Sequence, residues 1–158
     1  MLFRSIDKIP VYQRGGSVIP RKLRLRRSAY LMKKDPYSIY VALDPSLKAS
    51  GSLYMDDEET FGHDNRDEFA LASFEADFNG AATIKNTLFS GAGWSEQLQQ
   101  MQADRMIERI VVMGVATAPK AITNAKTTLE FEYIADAKVL VIRKPSVSAL
   151  QEWEITIA

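Results

Sequence analysis

Cysteine is absent from the 158 residues, which excludes disulfides and cysteine-ligated zinc but names no compartment, because a chain of this size needs no covalent staple. There is one histidine, His63. It gives too little nitrogen for a zinc centre, and with no G-x-S-x-G pattern it supports no hydrolase triad. No apolar run approaches the length of a membrane span, and Met1 to Pro10 lacks the apolar stretch of a signal peptide. The chain is therefore expected to carry no anchor or export signal of its own. Net charge is also missing, with 20 basic residues balanced by 20 acidic ones, but the balance is not local. Up to Lys34 there are ten Lys and Arg against the single acid Asp7; beyond it there are ten against nineteen. An opening of +9 and a remainder of −9 read as two pieces with different roles.

What is present is globular: 46% hydrophobic and 25% charged residues, enough for one domain, or for one domain carrying part of another. Strand signals dominate. "YSIYVAL" (Tyr37 to Leu43) and "SLYM" are separated by the turn cluster "DPSLKASG" and read as a hairpin or meander. In "EFALASFEADF" Phe69, Leu71 and Ser73 share one face and Phe74, Ala76 and Phe78 the other, which predicts a bulge at Ser73 and Phe74. "ATIKNTLF", "MIERIVVMGV", "TTLEFEYI", "KVLVIR" and "EWEITI" follow, each bounded by turn residues. In the last, Trp153, Ile155 and Ile157 form the buried face. Ser95 to Met106 reads as a long loop holding a helical turn. Short strands without strand-helix alternation predict an all-β fold, an antiparallel β-sandwich.

The opening piece reads as a β unit of its own. "IPVYQRGGSVIP" places two apolar runs around Arg14, Gly15, Gly16 and Ser17, a hairpin-like turn in which glycine supplies positive φ. "KLRLRRS" alternates Leu23 and Leu25 with Lys22, Arg24 and Arg26, a strand with one apolar and one basic face. As a basic patch it has a nucleic-acid reading, for which salt-dependent retention on DNA is the test. A phosphate-tracking arm gains nothing from leucine at every second place, so no nucleic-acid partner is expected.

"LYMDDEETFGHDN", Leu53 to Asn65, is the one stretch dense in chemistry-bearing groups. Counted as a calcium loop from Asp56, it puts oxygen at Asp56, Glu58, Thr60, Asp64 and Asp67, but Phe61 stands where glycine is required and Asp67 where a bidentate Glu belongs. Glycosidase chemistry needs two carboxylates about 5 Å or more apart on a rigid frame, which neighbours on one turn do not provide. No metal, cofactor or catalytic residue is assigned here. The stretch reads as a solvated turn whose Asp side chains bond nearby backbone.

Several of these pieces resemble, in order, the region that follows the catalytic barrel in glycoside hydrolase family 31 α-glucosidases. They are "IPVYQRGGSVIP", "RLRRS", "DPYSIYVAL" and "GSLYMDDEETF", the last similar to the family's G-x-L-Y-x-D-D-G-x-(S/T) signature. "IERIVVMG" and "VLVIRKP" most resemble the branch that trims N-glycans in the endoplasmic reticulum. The resemblance marks Arg14, Gly15, Gly16, Tyr54, Asp56, Asp57 and Thr60 as signature positions. It implies that residues 1–34 are end strands of a proximal C-terminal β domain and residues 35–158 a distal C-terminal β-sandwich. It further implies a parent that is a retaining, cofactor-free α-glucosidase of the endoplasmic reticulum lumen, paired with a β subunit. The catalytic aspartates would lie upstream on the barrel, this portion's partner, so the chain alone is expected to hydrolyse nothing. The alternative function is a carbohydrate-binding module in contact with glycan. Where the signature has glycine the chain has Glu58, a modestly strained turn if φ is positive there, and Glu58→Gly is expected to stabilise by about 1 kcal/mol.

Overall fold

The computed structural model describes residues 10–94, 101–125 and 127–158. Eleven strands follow one another: β1 (Ser17–Arg21), β2 (Tyr37–Ala42), β3 (Lys48–Met55), β4 (Ala70–Asp77), β5 (Ala82–Ser90), β6 (Met106–Met113), β7 (Ile122–Asn124), β8 (Thr127–Thr128), β9 (Glu130–Ile134), β10 (Val139–Ser148) and β11 (Trp153–Ile157). Their order in the sheet is β8-β7-β11-β5-β4-β3-β1-β2-β6-β10-β9. The two halves enclose one hydrophobic cluster that draws on Phe74 and Ile84 from one side and on Ile39, Ile110 and Leu140 from the other. This is the expected all-β sandwich. Pairing is mostly antiparallel, but β1 runs parallel to β3 and β2 parallel to β6, so the sheet is mixed.

Strand alternation explains the core. On β11 Trp153, Ile155 and Ile157 are buried and Glu154 and Thr156 exposed. β2 is buried on both faces, as its unbroken β-branched and aromatic run requires of a central strand. Each fully buried Ile or Val contributes roughly 1.5–3 kcal/mol relative to an exposed one.

Four expectations need correction. First, β2 and β3 do not pair, because β1 is inserted between them, antiparallel to β2 from Ser17↔Ala42 to Arg21↔Ser38. Second, β4 has no bulge. Its inner face is Ala70, Ala72, Phe74 and Ala76, and its register with β3 is continuous. Ala70 and Ala72 carry little apolar weight in the sequence, yet they share this face with Ala76 and with Phe74, whose ring centre is 6.2 Å from that of Trp153. The irregularity falls instead in β10, between Arg143 and Val147, where Lys144 and Ser146 take positive φ. Third, among the described residues Pro10 to Gln13 form no strand, and the turn at Gly15 and Gly16 leads into a strand on its far side. Fourth, "KLRLRRS" is irregular, with Leu25 99% exposed; the strand lies one segment earlier, at β1. The helical turn expected in Ser95 to Met106 is a 3-10 turn at Gln102–Arg105, and residues 95–100 lie outside the described ones.

Candidate functional site

β3 leaves the sheet at Met55, and the acidic stretch that follows bonds largely to itself. Asp56 Oδ1 accepts the Glu58 N–H at 2.8 Å. Asp57 Oδ1 accepts the N–H groups of Glu59 and Thr60 at 3.1 and 2.9 Å, while the Thr60 hydroxyl donates to Asp57 Oδ2 at 2.6 Å. The Gly62 N–H donates to Thr60 Oγ1 at 3.2 Å. Hydrogen bonds from the Thr60 hydroxyl first, then from the Thr60 and Glu59 amides, hold the Asp57 carboxyl down at about 2. A short helix, α1 (Gly62–Asn65), completes the turn. Glu68 folds over it: a Cβ on Gly62 would meet Glu68 Oε2 at 1.9 Å. Arg66 holds that carboxylate with bonds of 2.7 and 2.8 Å.

Glu58 reaches beyond this local closure. Glu58 has φ of 61°, the left-handed region that favours glycine. Its Oε1 lies 3.0 Å from Nη2 of Arg105, whose side chain is 1% exposed. Nη1 of Arg105 donates to the Lys33 carbonyl, and the Arg105 carbonyl accepts from the Ala149 N–H at 2.9 Å and the Ser148 hydroxyl at 3.2 Å. Lys33 Nζ donates to the Asp57 carbonyl and pairs with Glu59 at 2.9 Å. Arg105 therefore ties together the acidic turn, the segment before β2 and the end of β10. Nothing in the sequence marked it, since an arginine ahead of a strand is ordinarily solvated. Glu58 stands where glycine would be unstrained because it is the counter-ion of this buried guanidinium.

The calcium count from Asp56 has no spatial counterpart: among the described residues no three His, Asp or Glu groups converge as a metal site. His63 lies 3.9 Å from Asp56 and 3.6 Å from Asp64, and its Nδ1 is buried without a hydrogen-bond partner among the described residues. Asp56 and Asp57 face backbone amides rather than each other across a cleft, so the turn lacks the geometry of a carboxylate pair.

The other signature positions sit elsewhere. Gly16, with φ of 84°, donates its N–H to the Ala42 carbonyl at 2.8 Å and accepts the Ser50 N–H at 3.1 Å. A Cβ on Gly15 would come within 3.2 Å of the Leu43 carbonyl. Arg14 accepts the Ser17 hydroxyl on its carbonyl at 2.5 Å. The Arg14 to Gly16 turn thus seats β1 in its slot. It meets β3 near Ser50, about 17 Å along the strand from the acidic turn; the two groups are not brought together. Gly51, the glycine that opens "GSLY", was not singled out. A Cβ there would lie 2.1 Å from the Val18 carbonyl, so only glycine allows β1 to cross so close to β3. A glycine inside a strand is the signal that marks such an approach. Tyr54 stacks on Phe69 with centroids 5.9 Å apart.

The basic segment is held by ion pairs. Arg26 grips Asp35 with two bonds of 2.9 and 2.7 Å, which keeps the Asp35 carboxyl below its usual range. Arg24 pairs with Glu108 at 3.2 Å and Lys34 with Asp104 at 3.2 Å. Lys22 and Arg21 lie over the rings of Tyr37 and Tyr40.

Over almost its whole length the chain is similar to α-glucosidases: it is a homologue of the C-terminal region of glycoside hydrolase family 31 enzymes. Within that class the matches are specific. Neutral alpha-glucosidase AB of Homo sapiens is 36% identical over 155 residues, covering 96% of this chain and 16% of the relative. The protein of the same name from Dictyostelium discoideum is 41% identical over 144 residues, covering 89% and 14%. Among solved structures, an ER glucosidase II complex of the catalytic subunit with the binding domain of the regulatory subunit superposes with a TM-score of 0.76 at 28% identity, covering 96% of this chain and 17% of that one. No family model matches. The chain spans about 16% of the length of these curated relatives.

Proposed function

We propose that the chain is the non-catalytic C-terminal β-sandwich portion of an α-glucosidase that trims terminal α-linked glucose from N-glycans, and that its role is to support the catalytic barrel. The observation that carries this reading is that almost the whole chain matches a segment making up about 16% of its glucosidase relatives. The surface agrees. Val11, Tyr12, Leu25 and Tyr30 are among the most exposed apolar side chains, all on the opening segment, the kind of surface that a neighbouring part of a larger protein covers. In this reading the parent acts in the endoplasmic reticulum lumen without a cofactor and pairs with a β subunit; the ER glucosidase II complex of catalytic subunit with the binding domain of the regulatory subunit supports the pairing. Arg14, Gly15, Gly16, Tyr54, Asp56, Asp57 and Thr60 are framework positions of this portion. The resemblance draws the boundary between proximal and distal domains after residue 34. We keep that boundary as the proposal; β1, within residues 1–34, is bonded to both β2 and β3.

The chain alone is expected to leave p-nitrophenyl α-glucoside unhydrolysed; turnover above buffer would sink the reading. In a longer form that includes the barrel, Tyr12→Asp with Leu25→Asp is expected to lower the melting temperature while leaving that of this chain unmoved. Equal effects on both would argue against a covering partner.

A further inference from the structure

The strand registers order the outer face of β3, β4 and β5 into rows. Lys48, Asp77 and Thr83 form one row, Ser50, Glu75 and Lys85 the next, then Ser52, Ser73 and Thr87, and last Tyr54, Leu71 and Phe89. The charged rows are closed by the pairs Lys48 with Asp77 at 3.0 Å and Lys85 with Glu75 at 2.8 Å. The last two rows present three hydroxyls beside three apolar groups. Phe69 stacks on Tyr54, and its ring centre is 5.9 Å from that of Phe89, so the rings hold one another in place. Even so, Tyr54 is 50% and Phe89 61% exposed.

The chemistry of the surroundings selects the occupant. An anionic ligand is repelled, because Asp56, Asp57, Glu59 and Asp64 follow directly from Tyr54 in the turn. The apolar patch is four side chains, Tyr54, Leu71, Phe89 and the half-buried Phe69, bordered on β3, β4 and β5 by hydroxyls and closed ion pairs, which is little apolar area for a docked protein. A neutral sugar chain matches both rows, since its rings have apolar C–H faces and its edges carry hydroxyls. The row spans two strand spacings, about 10 Å, which suits more than one ring. We propose that this face binds a neutral oligosaccharide, with Tyr54 and Phe89 stacking on its rings and Ser52, Ser73 and Thr87 bonding to its hydroxyls. The proposal stands whether or not the portion also supports a barrel, because it concerns this chain alone.

The test is an amide NMR titration of the whole chain with three probes: maltotetraose, an α-1,3-linked glucose trisaccharide and a mannose oligosaccharide. At least one is expected to bind saturably with Kd on the order of 0.1–10 mM, with shifts confined to residues 52–54, 69–73 and 87–89. Tyr54→Ala and Phe89→Ala are each expected to weaken that binding roughly tenfold. Each variant also loses a ring stacked on Phe69, so a drop in melting temperature of a few degrees is expected beside the loss of binding. No saturation by any probe, shifts centred elsewhere, or unchanged affinity in the Tyr54→Ala/Phe89→Ala double variant would overturn the proposal. So would self-association that Phe89→Ala abolishes without saccharide binding, since the row would then be a protein contact. Should a variant fail to fold, the shift map of the unaltered chain decides.

Discussion

Ser17 to Asp35 and Asp56 to Glu68 are both charged stretches that leave regular structure, yet they are held in opposite ways. The acidic turn closes on partners two to six residues away, with Asp56 and Asp57 serving as acceptors for its own amides. The opening segment is fixed mainly at long range: β1 by β2 and β3, Arg24 by Glu108, and the Lys33 carbonyl by Arg105. Both looked like binding sites because they are dense in one charge. In both, much of the charge has a structural partner: backbone amides for Asp56 and Asp57, Arg105, Lys33 and Arg66 for Glu58, Glu59 and Glu68, and carboxylates for Arg24, Arg26 and Lys34. Charge density in a sequence therefore identifies where neutralisation is needed and says nothing about whether a ligand supplies it.

The sharpest way to break the long-range side is Gly51→Ala. The new methyl meets the Val18 carbonyl, so β1 must move off β3, and a loss of about 3 kcal/mol is expected in urea unfolding. A loss under about 1 kcal/mol would mean that β1 is not seated as described.

Glu58→Gly tests the tie between the two regions that runs through Arg105, beside the direct ones from Lys33 to the Asp57 carbonyl and to Glu59. Relief of positive φ contributes about 1 kcal/mol, but the buried Arg105 loses its counter-ion, which costs roughly 2–3 kcal/mol. The variant is therefore expected to be destabilised by about 1–2 kcal/mol, reversing the stabilisation that the signature alone suggests. In a double-mutant cycle with Arg105→Met the coupling should exceed about 1 kcal/mol; additivity would leave the pair with no role.

For the local side, pH is the probe. Asp57 has a folded pKa of about 2, below the 3.8 of the free carboxyl. Its contribution is thus present above pH 4 and lost as pH falls toward 2. A melting curve should drop by a few degrees more between about pH 4 and 2 for the unaltered chain than for Asp57→Asn. Parallel curves would show that the Thr60 bonds do not favour the charged form.

The smallest effect belongs to Arg24→Ala. Both it and Glu108 face solvent, and less than about 0.5 kcal/mol is expected by thermal melting. Arg26→Ala, which leaves the buried Asp35 without its two-bond partner, should cost visibly more; an equal effect would mean that Asp35 is well solvated.

The strands were legible where alternation was clean or apolar runs continuous, as at "YSIYVAL" and "EWEITI". The turn chemistry of "DDEET" was legible too, because Asp bonding to amides two and three residues on is a local rule. Pairing was not legible. β2 and β3 are neighbours in sequence, and only the insertion of β1 separates them. Period-two alternation also misled at "KLRLRRS", where the leucines stay exposed because the arginines, not the apolar face, find partners.

By itself, then, the sequence determined the all-β class, the locations of most strands and turns, and the resemblance to a family, since all three rest on short-range periodicity, turn residues and motif order. Only the tertiary structure decided that β1 occupies the middle of the sheet, that Gly51 must lack a side chain and that Glu58 answers a buried Arg105. Each of these depends on which groups, 17 to 47 residues apart, are brought into contact. Local propensity carries no record of such contacts.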